Sequence, residues 1–424
     1  MRRSCVPPLC AALISLAVST AFAQAPAPDP FPHPAAVAER PGLTLAAALQ
    51  AALHQHPRLR AASAEVDAAD GAIDQAGVWP NPSLGVEQED AGRDTRTTTF
   101  LLNQPIELGG KRSARAALAR SGRVVADADL AARRAEVRAD TVQAFFDALV
   151  AQERVGVTEE SLRIAASGTA AATRRVAAGK VSPTEETRAR VAESNARIEL
   201  RQAEADRQRA MLALGVAMGA SRVPADRLDG RAEALPPLPA GDTLRQRIDH
   251  SPLLQRARGE VDRAGAAYEL ERARRIPDVT LSLGTKRSQE LGRNQPVIGV
   301  SIPLPVFDTN RGAQHEALRR RDAAEALARA EALRVEAEVL QGIDLFQALA
   351  GEAQTLREEV LPGARSAYEA ASRGFELGKF DFIEVLDAQR TWLLARSQYL
   401  TTLASAHRAA AELERRLGAA DNEH

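Results

Sequence analysis

Cysteine is almost missing from the chain: there are two, Cys5 and Cys10, and none in the 414 residues that follow. That rules out a disulfide framework and cysteine metal ligands for nearly the whole molecule. Seven histidines (His33, His54, His56, His250, His315, His407, His424) form no pair at helical ligand spacing, and His54 and His56, two apart, fall on different helix faces, so no built-in metal site is expected. Aromatic residues are only 4% of the chain. Past residue 23 no apolar run approaches the roughly 20 residues of a spanning helix, so any membrane crossing has to be made by strands. An excess of one charge is missing too: the formal net charge is −1, with basic and acidic residues interleaved, which argues against a nucleic-acid partner. No phosphate loop, nucleophile elbow or pocket-forming carboxylate pair is visible, so neither an enzyme nor a cofactor is expected.

What is present begins with an export signal. Arg2 and Arg3, an apolar stretch over 9–18 and the small-residue stop Ala21-Phe22-Ala23 mark residues 1–23 as a signal peptide. The apolar run mostly follows Cys10 instead of preceding it, so an unlipidated N-terminus near Gln24 is expected. Loss of Arg2 and Arg3 takes the charge to about −3.

The rest is one unit written twice, at an offset near 195 to 199 residues. His56-Pro57 with Glu65-Val66-Asp67 matches Ser251-Pro252 with Glu260-Val261-Asp262, and Pro82 matches Pro277. Further on, Gln104-Pro105 to Lys111-Arg112 matches Ile302-Pro303 to Asn310-Arg311, and Arg174 with Gly179-Lys180 matches Arg373 with Gly378-Lys379. The expected organisation is therefore an extended leader over 24–42, a first repeat over 43–220, a proline-rich linker over 221–241, a second repeat over 242–418 and a tail over 419–424.

Each repeat reads as helix, strand, strand, very long helix, tight turn, helix. The expected spans are about 44–77, 82–89, 97–105, 112–178 and 183–218, then 243–274, 278–286, 296–304, 311–377 and 382–417. Along the strands Leu84, Val86, Phe100, Leu102, Val279, Leu281, Leu283, Ile298, Val300 and Ile302 share one face, opposite Gly85, Glu87, Thr99, Thr280, Ser282 and Ser301. One face meets apolar surroundings and the other water. Any single strand of this kind also suits a half-buried soluble sheet. Here, however, no remaining sequence could cover the apolar face, and four strands cannot close a barrel whose minimum is about eight. Several copies must share one barrel; three would supply twelve strands, though the strands alone do not choose the number. Glu87, Glu89 and Asp90 read as a solvated loop, with a cation-attracting mouth as the second reading.

The proline-free segment from Arg112 to Gly179 makes a rod of roughly 100 Å, and 311–378 matches it in length. Leu118, Val125, Ala132, Ala139 and Phe146 recur every seven residues, offset by three from Ser121, Ala128, Ala135, Val142 and Leu149. Ala328, Ala332, Val335, Val339, Gly342, Phe346 and Leu349 continue the spacing in the second rod.

Three stretches carry a family resemblance over nearly the whole mature chain: Gln104-Pro-Ile-Glu-Leu-Gly-Gly-Lys-Arg112, Ser301-Ile-Pro-Leu-Pro-Val-Phe-Asp-Thr-Asn-Arg-Gly312 and Gly374-Phe-Glu-Leu-Gly-Lys-Phe-Asp-Phe-Ile-Glu-Val-Leu-Asp-Ala-Gln-Arg390. In their order and spacing the chain resembles the TolC-like outer-membrane efflux family, in the branch serving heavy-metal pumps of the cobalt-zinc-cadmium resistance type. The resemblance implies a mainly α fold with a small β part: a homotrimer with a twelve-stranded barrel among outer-membrane lipid and a long-helix α-barrel through the periplasm. It also implies docking onto a periplasmic adaptor (membrane fusion) protein and an inner-membrane proton-driven pump of the RND type. The family's docking turns map onto Arg174, Gly179 and Lys180, and onto Arg373, Leu377, Gly378, Lys379, Phe380 and Asp381. The first turn lacks counterparts of Leu377 and of the Phe380-Asp381 pair, which makes the second the better docking candidate. Export of drugs or proteins instead of metal cations is the alternative within this class. A periplasmic coiled-coil scaffold or adaptor is the alternative outside it.

Overall fold

A computed structural model describes residues 42–90, 92–238 and 241–418. The expected signal peptide, the leader up to residue 41 and the tail lie outside the described residues.

The same order of elements occurs twice. In the first half, β1 (Leu43–Thr44) leads into α1 (Leu45–Gln55) and α2 (Pro57–Gly77), then β2 (Ser83–Glu89), β3 (Thr97–Ile106), α3 (Lys111–Ala177) and α4 (Pro183–Ala217). After β4 (Leu228–Asp229) come α5 (Gly241–Asp249), α6 (Pro252–Arg274), β5 (Val279–Ser288), β6 (Arg293–Ser301), α7 (Arg311–Thr355), α8 (Leu361–Glu376) and α9 (Phe382–Leu417).

Prolines account for the departures from expectation. The single helices expected over 44–77 and 243–274 are each split, because the residue before a proline is pushed out of the helical region. His56 is accordingly extended at φ −64°, ψ 124°, and Pro57 and Pro252 begin new helices at their first position. The second rod, expected as one helix over 311–377, carries a π-helical turn at Leu356–Val360, just ahead of Pro362. Pro362 has no N–H and its ring crowds the carbonyl four residues back, so the ladder widens there. The strand expected over 296–304 runs instead over Arg293–Ser301: Pro303 and Pro305 cannot donate to a ladder, and the hairpin turns earlier, where Gly292 holds φ 62°. Ile302 thus lies just beyond the strand.

The helices form a wall. Near the strands the neighbours run α2, α3, α6, α7; further along, α4, α3, α9 and then α7 with α8. Helix α3 changes partners midway. Its Arg123 pairs with Asp70 of α2 at 2.6 Å and its Asp129 with Arg256 of α6 at 2.8 Å, whereas further on Asp147 pairs with Arg408 and Glu160 with Arg396 of α9. The heptad residues lie along these seams: Val125, Ala128, Ala135, Ala139, Phe146 and Leu149 are buried, as are Val335, Val339 and Phe346. Small seam residues let the backbones approach, and Gly342 leaves room for Leu413 against it.

The expected linker is more than an extended connection. Leu228 and Asp229 pair in parallel with Leu43 and Thr44, and Leu228 and Ala232 are fully buried in a core with Phe145, Leu149, Leu214 and Leu403. The Gln152 amide brackets the Leu228 backbone, donating to its carbonyl at 3.2 Å and accepting from its N–H at 3.0 Å. His407, stacked on Phe146, bonds the Ala232 carbonyl at 2.7 Å, and burial pushes its pKa down. The strap is thus tied across the middle of the wall.

Candidate channel surfaces: a strand wall and two helix turns

The strands form one antiparallel sheet in the order β2-β3-β5-β6, with the two hairpins joined through β3 and β5. Pairing brings the expected residues into cross-strand rows. Leu84 faces Leu102, Leu102 faces Leu283 and Leu283 faces Ile298, so one apolar row crosses all four strands. Val86 faces Phe100, and Leu281 faces Val300. These side chains are exposed, up to 72% for Leu84 and 79% for Ile298, and they lie side by side across the sheet. Of the ten expected residues, Val279 is half-buried at the start of β5 and Ile302 is exposed beyond β6. A contiguous apolar surface of this extent needs a cover, because water leaves it unfavourably exposed.

The opposite face is mostly polar, with Leu101 and Val297 on either side of Gly284. The Ser282 hydroxyl donates to the Asn103 side-chain carbonyl at 2.6 Å, and Lys286 pairs with Glu89 at 2.8 Å. Asp90, at φ 57°, accepts from the Gly92 N–H at 2.9 Å and from the Thr95 hydroxyl. The acidic tip is therefore engaged locally. Among the described residues β2 and β6 are each paired on one side only, and no helix is long and apolar enough to cross a membrane.

Below the sheet, a cleft of about 1170 Å³ runs between α2, α3 and α6. Alanines form its floor, and Arg58, Glu65, Arg133, Arg256, Glu260 and Arg263 lie among its walls. Such interleaved charge keeps the wall wetted. No group of three or more potential ligands gathers into a metal site among the described residues.

At the other end of the rods lie the two turns. Both are closed alike by a left-handed glycine: Gly179 at φ 69° and Gly378 at φ 71°. The Gly179 N–H donates to the Val176 carbonyl at 2.9 Å and Lys180 N–H to Arg175 at 2.9 Å; the Gly378 N–H donates to Phe375 at 3.0 Å and Lys379 N–H to Gly374 at 2.8 Å. Arg174, Lys180, Arg373, Lys379 and Asp381 are exposed. Arginines in each last turn complement the helix dipole. The structure brings the two turns together, with the Arg175 guanidinium 4.5 Å over the Phe375 ring. Arg175 and Phe375 fall within the expected turns but were not singled out there, since a contact between turns about 200 residues apart leaves no local signal. The second turn alone exposes large apolar groups: Leu377 at 71%, Phe380, and Ile383 beyond it. Phe380 covers buried Gly374, where a Cβ would collide with its ring.

Comparison with known proteins agrees with this geometry. The family described as outer membrane efflux protein matches residues 48–220 and 243–419. The cobalt-zinc-cadmium resistance protein CzcC of Cupriavidus metallidurans is 45% identical over 376 residues, 89% of this chain and 90% of that protein. The nickel and cobalt resistance protein CnrC of the same organism is 30% identical over 301 residues, 69% of this chain and 70% of that one. Among solved structures, CusC superposes with a TM-score of 0.77 at 18% identity, covering 89% of this chain and 92% of that chain. The open-state MtrE channel of Neisseria gonorrhoeae gives 0.75 at 18% identity, covering 88% of each chain; at such identities the match is one of fold. The chain belongs to the outer membrane efflux protein family, TolC-like in fold: a non-enzymatic efflux channel of the outer membrane whose long helices extend into the periplasm.

Proposed function

We propose that this chain is the exit duct of a tripartite heavy-metal efflux system and works as a homotrimer. One observation carries the reading: the exposed apolar strand face ends in two unpaired edges, and the helical wall repeats the strand order, α2-α3-α6-α7 beneath β2-β3-β5-β6. An open edge in lipid leaves backbone groups unsatisfied, so β6 of one copy pairs with β2 of the next until the sheet closes. Three copies give twelve strands, and the walls below close into the matching tunnel. Leu84, Val86, Phe100, Leu102, Val279, Leu281, Leu283, Ile298, Val300 and Ile302 face lipid, while the polar face lines the pore. The turns at Gly179 and Gly378 meet the periplasmic adaptor, through which the duct is coupled to an inner-membrane RND pump. Residues 1–23 direct export, and the two repeats, 43–220 and 242–418, form the duct.

Heavy-metal cations are the cargo. The 45% identity to a cobalt-zinc-cadmium resistance protein supports this. Deleting the gene and scoring survival in zinc, cobalt, cadmium, copper and several antibiotics tests the cargo; loss of antibiotic tolerance alone overturns it. Purified protein in mild detergent tests the channel. A trimer conducting ions across a planar bilayer is expected, and a monomer that conducts none refutes it.

A further inference from the structure

The duplication inside one chain provides a template for the contact between chains. At the join of the two halves, the segment between β3 and α3 sits on the junction between α6 and β5. The Leu108 N–H donates to Asp278 at 3.1 Å, Lys111 reaches the same carboxylate at 2.7 Å, and Gly109 lies so close that a Cβ there would stand 2.8 Å from the Ile276 Cβ. The repeat pairs this segment with the one between β6 and α7, and pairs the α6–β5 junction with the α2–β2 junction. In these terms Leu108 corresponds to Val306 or Phe307, Ala273 to Val78, and Ile276 to Asn81.

Among the described residues the second-half segment has no such seat within its own chain. Leu304, Val306 and Phe307 are exposed, Phe307 fully at 100%. Its inner side is nonetheless anchored: the Asn310 side-chain amide donates to the Glu271 carbonyl and carboxylate of α6, at 2.8 and 2.9 Å. At the opposite edge of the wall the α2–β2 junction also stands bare, with Val78, Trp79 and Asn81 exposed and the Trp79 ring capped on one face by the Arg112 guanidinium at 4.5 Å. Segment and seat therefore lie at the same level, where strands meet helices, on the two edges that the sheet leaves unpaired.

We propose that the segment 304–307 of one copy seats on the α2–β2 junction of the next, with Phe307 against Val78, Trp79 and Asn81, in the place that the backbone of Leu108 and Gly109 takes within one chain. The interface is head-to-tail, so the same contact recurs around the ring and closes it. It buries three large apolar side chains that a free chain leaves in water, with Phe307 the aromatic anchor. This rests on the ring of copies proposed above and names the residues that lock it.

The test is disulfide trapping of the full chain in mild detergent, with the parent as background control. Phe307→Cys combined with Asn81→Cys should, on mild oxidation, give a reducible ladder ending at the three-chain mass, at least about tenfold above either single variant. Phe307→Cys combined with Ile276→Cys, a position against which Gly109 of the same chain already packs, should not link chains. Phe307→Asp should weaken assembly, measured by light scattering on dilution, by about tenfold or more. A parent that assembles while Phe307→Asp assembles equally well and the first pair gives no ladder overturns the contact and leaves the ring standing. Quenching of a Phe307→Trp variant by brominated lipid, with no ladder, also overturns it and assigns the segment to the membrane surface. A parent that stays monomeric sinks the ring itself.

Discussion

The turn at Gly179 and the turn at Gly378 have one backbone and two surfaces. Both reverse the chain through a left-handed glycine, and both close with the same two carbonyl-directed bonds. Past the glycine they diverge. The first turn starts its next helix with Ser182, which accepts from the Thr184 N–H, followed by Pro183 and the acidic pair Glu185 and Glu186. The second starts with Asp381, which makes no side-chain cap, and shows Leu377 and Phe380 to solvent. A helix reversal needs only the glycine and its hydrogen bonds, so the remaining positions are free to serve something else. At the first turn they stabilise a helix; at the second they form an apolar surface with basic residues beside it, suited to a partner.

Changes at the apolar surface should have the largest effect. Leu377→Asp with Phe380→Asp should weaken binding to the purified periplasmic adaptor by about tenfold or more, and survival in zinc and cobalt should fall with it. Val181→Asp in the first turn should cost less than about threefold; equal damage from both would break the comparison. Backbone changes come next. Gly179→Val and Gly378→Val should each cost about 1–2 kcal/mol in thermal unfolding, because a β-branched residue is strained at positive φ. Here the two turns should behave alike, and a large disparity would show that their backbones are not equivalent. The caps should separate them again more weakly: Ser182→Ala should cost about 1 kcal/mol and Asp381→Ala about half that or less.

A parallel divergence appears where each half closes on itself, and it predicts the smallest effect. His56 and Ser251 each precede a proline, and a left-handed glycine packs at each join: Gly219 at φ 75° against His56 and Pro57, Gly418 at φ 76° against Pro252. The His56 ring accepts from the Arg58 N–H at 3.2 Å, whereas the Ser251 hydroxyl donates to the Arg416 carbonyl at 2.6 Å. Burial first, and then Arg58, lowers the His56 pKa, with Asp140 opposing. The folded state therefore holds the neutral ring, and its stabilisation is complete above the ordinary imidazole value of about 6.5 and is lost as pH falls through it. Melting between about pH 7.5 and 5.5 should show this slope in the parent and a shallower one in His56→Ser, with buried His407 supplying part of the remainder. An unchanged slope would remove His56 from the account.

Much of the molecule was legible because its signals are local or periodic. The alternation from Leu84 to Val86 and from Ile298 to Val300 reports a two-faced strand wherever it occurs, and the seven-residue recurrence from Val125 to Phe146 reports a seam. Misread elements fall at prolines. Pro57, Pro303 and Pro362 were visible, but whether a proline ends an element, splits it or is absorbed in a π turn depends on the neighbouring packing, and Leu356 at that turn is buried in the central core. The strap was missed for another reason: Gln152 and His407 bind Leu228 and Ala232 through backbone atoms, which any sequence supplies.

By itself, then, the sequence determined the duplication, the two-faced strands, the long rods and the glycine reversals, since each depends on residues within a few positions of one another or on a repeat that can be read directly. Only the tertiary structure decided that β3 and β5 join the hairpins, that α3 exchanges partners halfway along, that Arg175 ties one turn to the other, and that Phe307 is left bare on the edge of the wall. These are encounters between residues distant in the chain, set by how the rods pack, and packing geometry leaves no mark on the order of amino acids around any one of them.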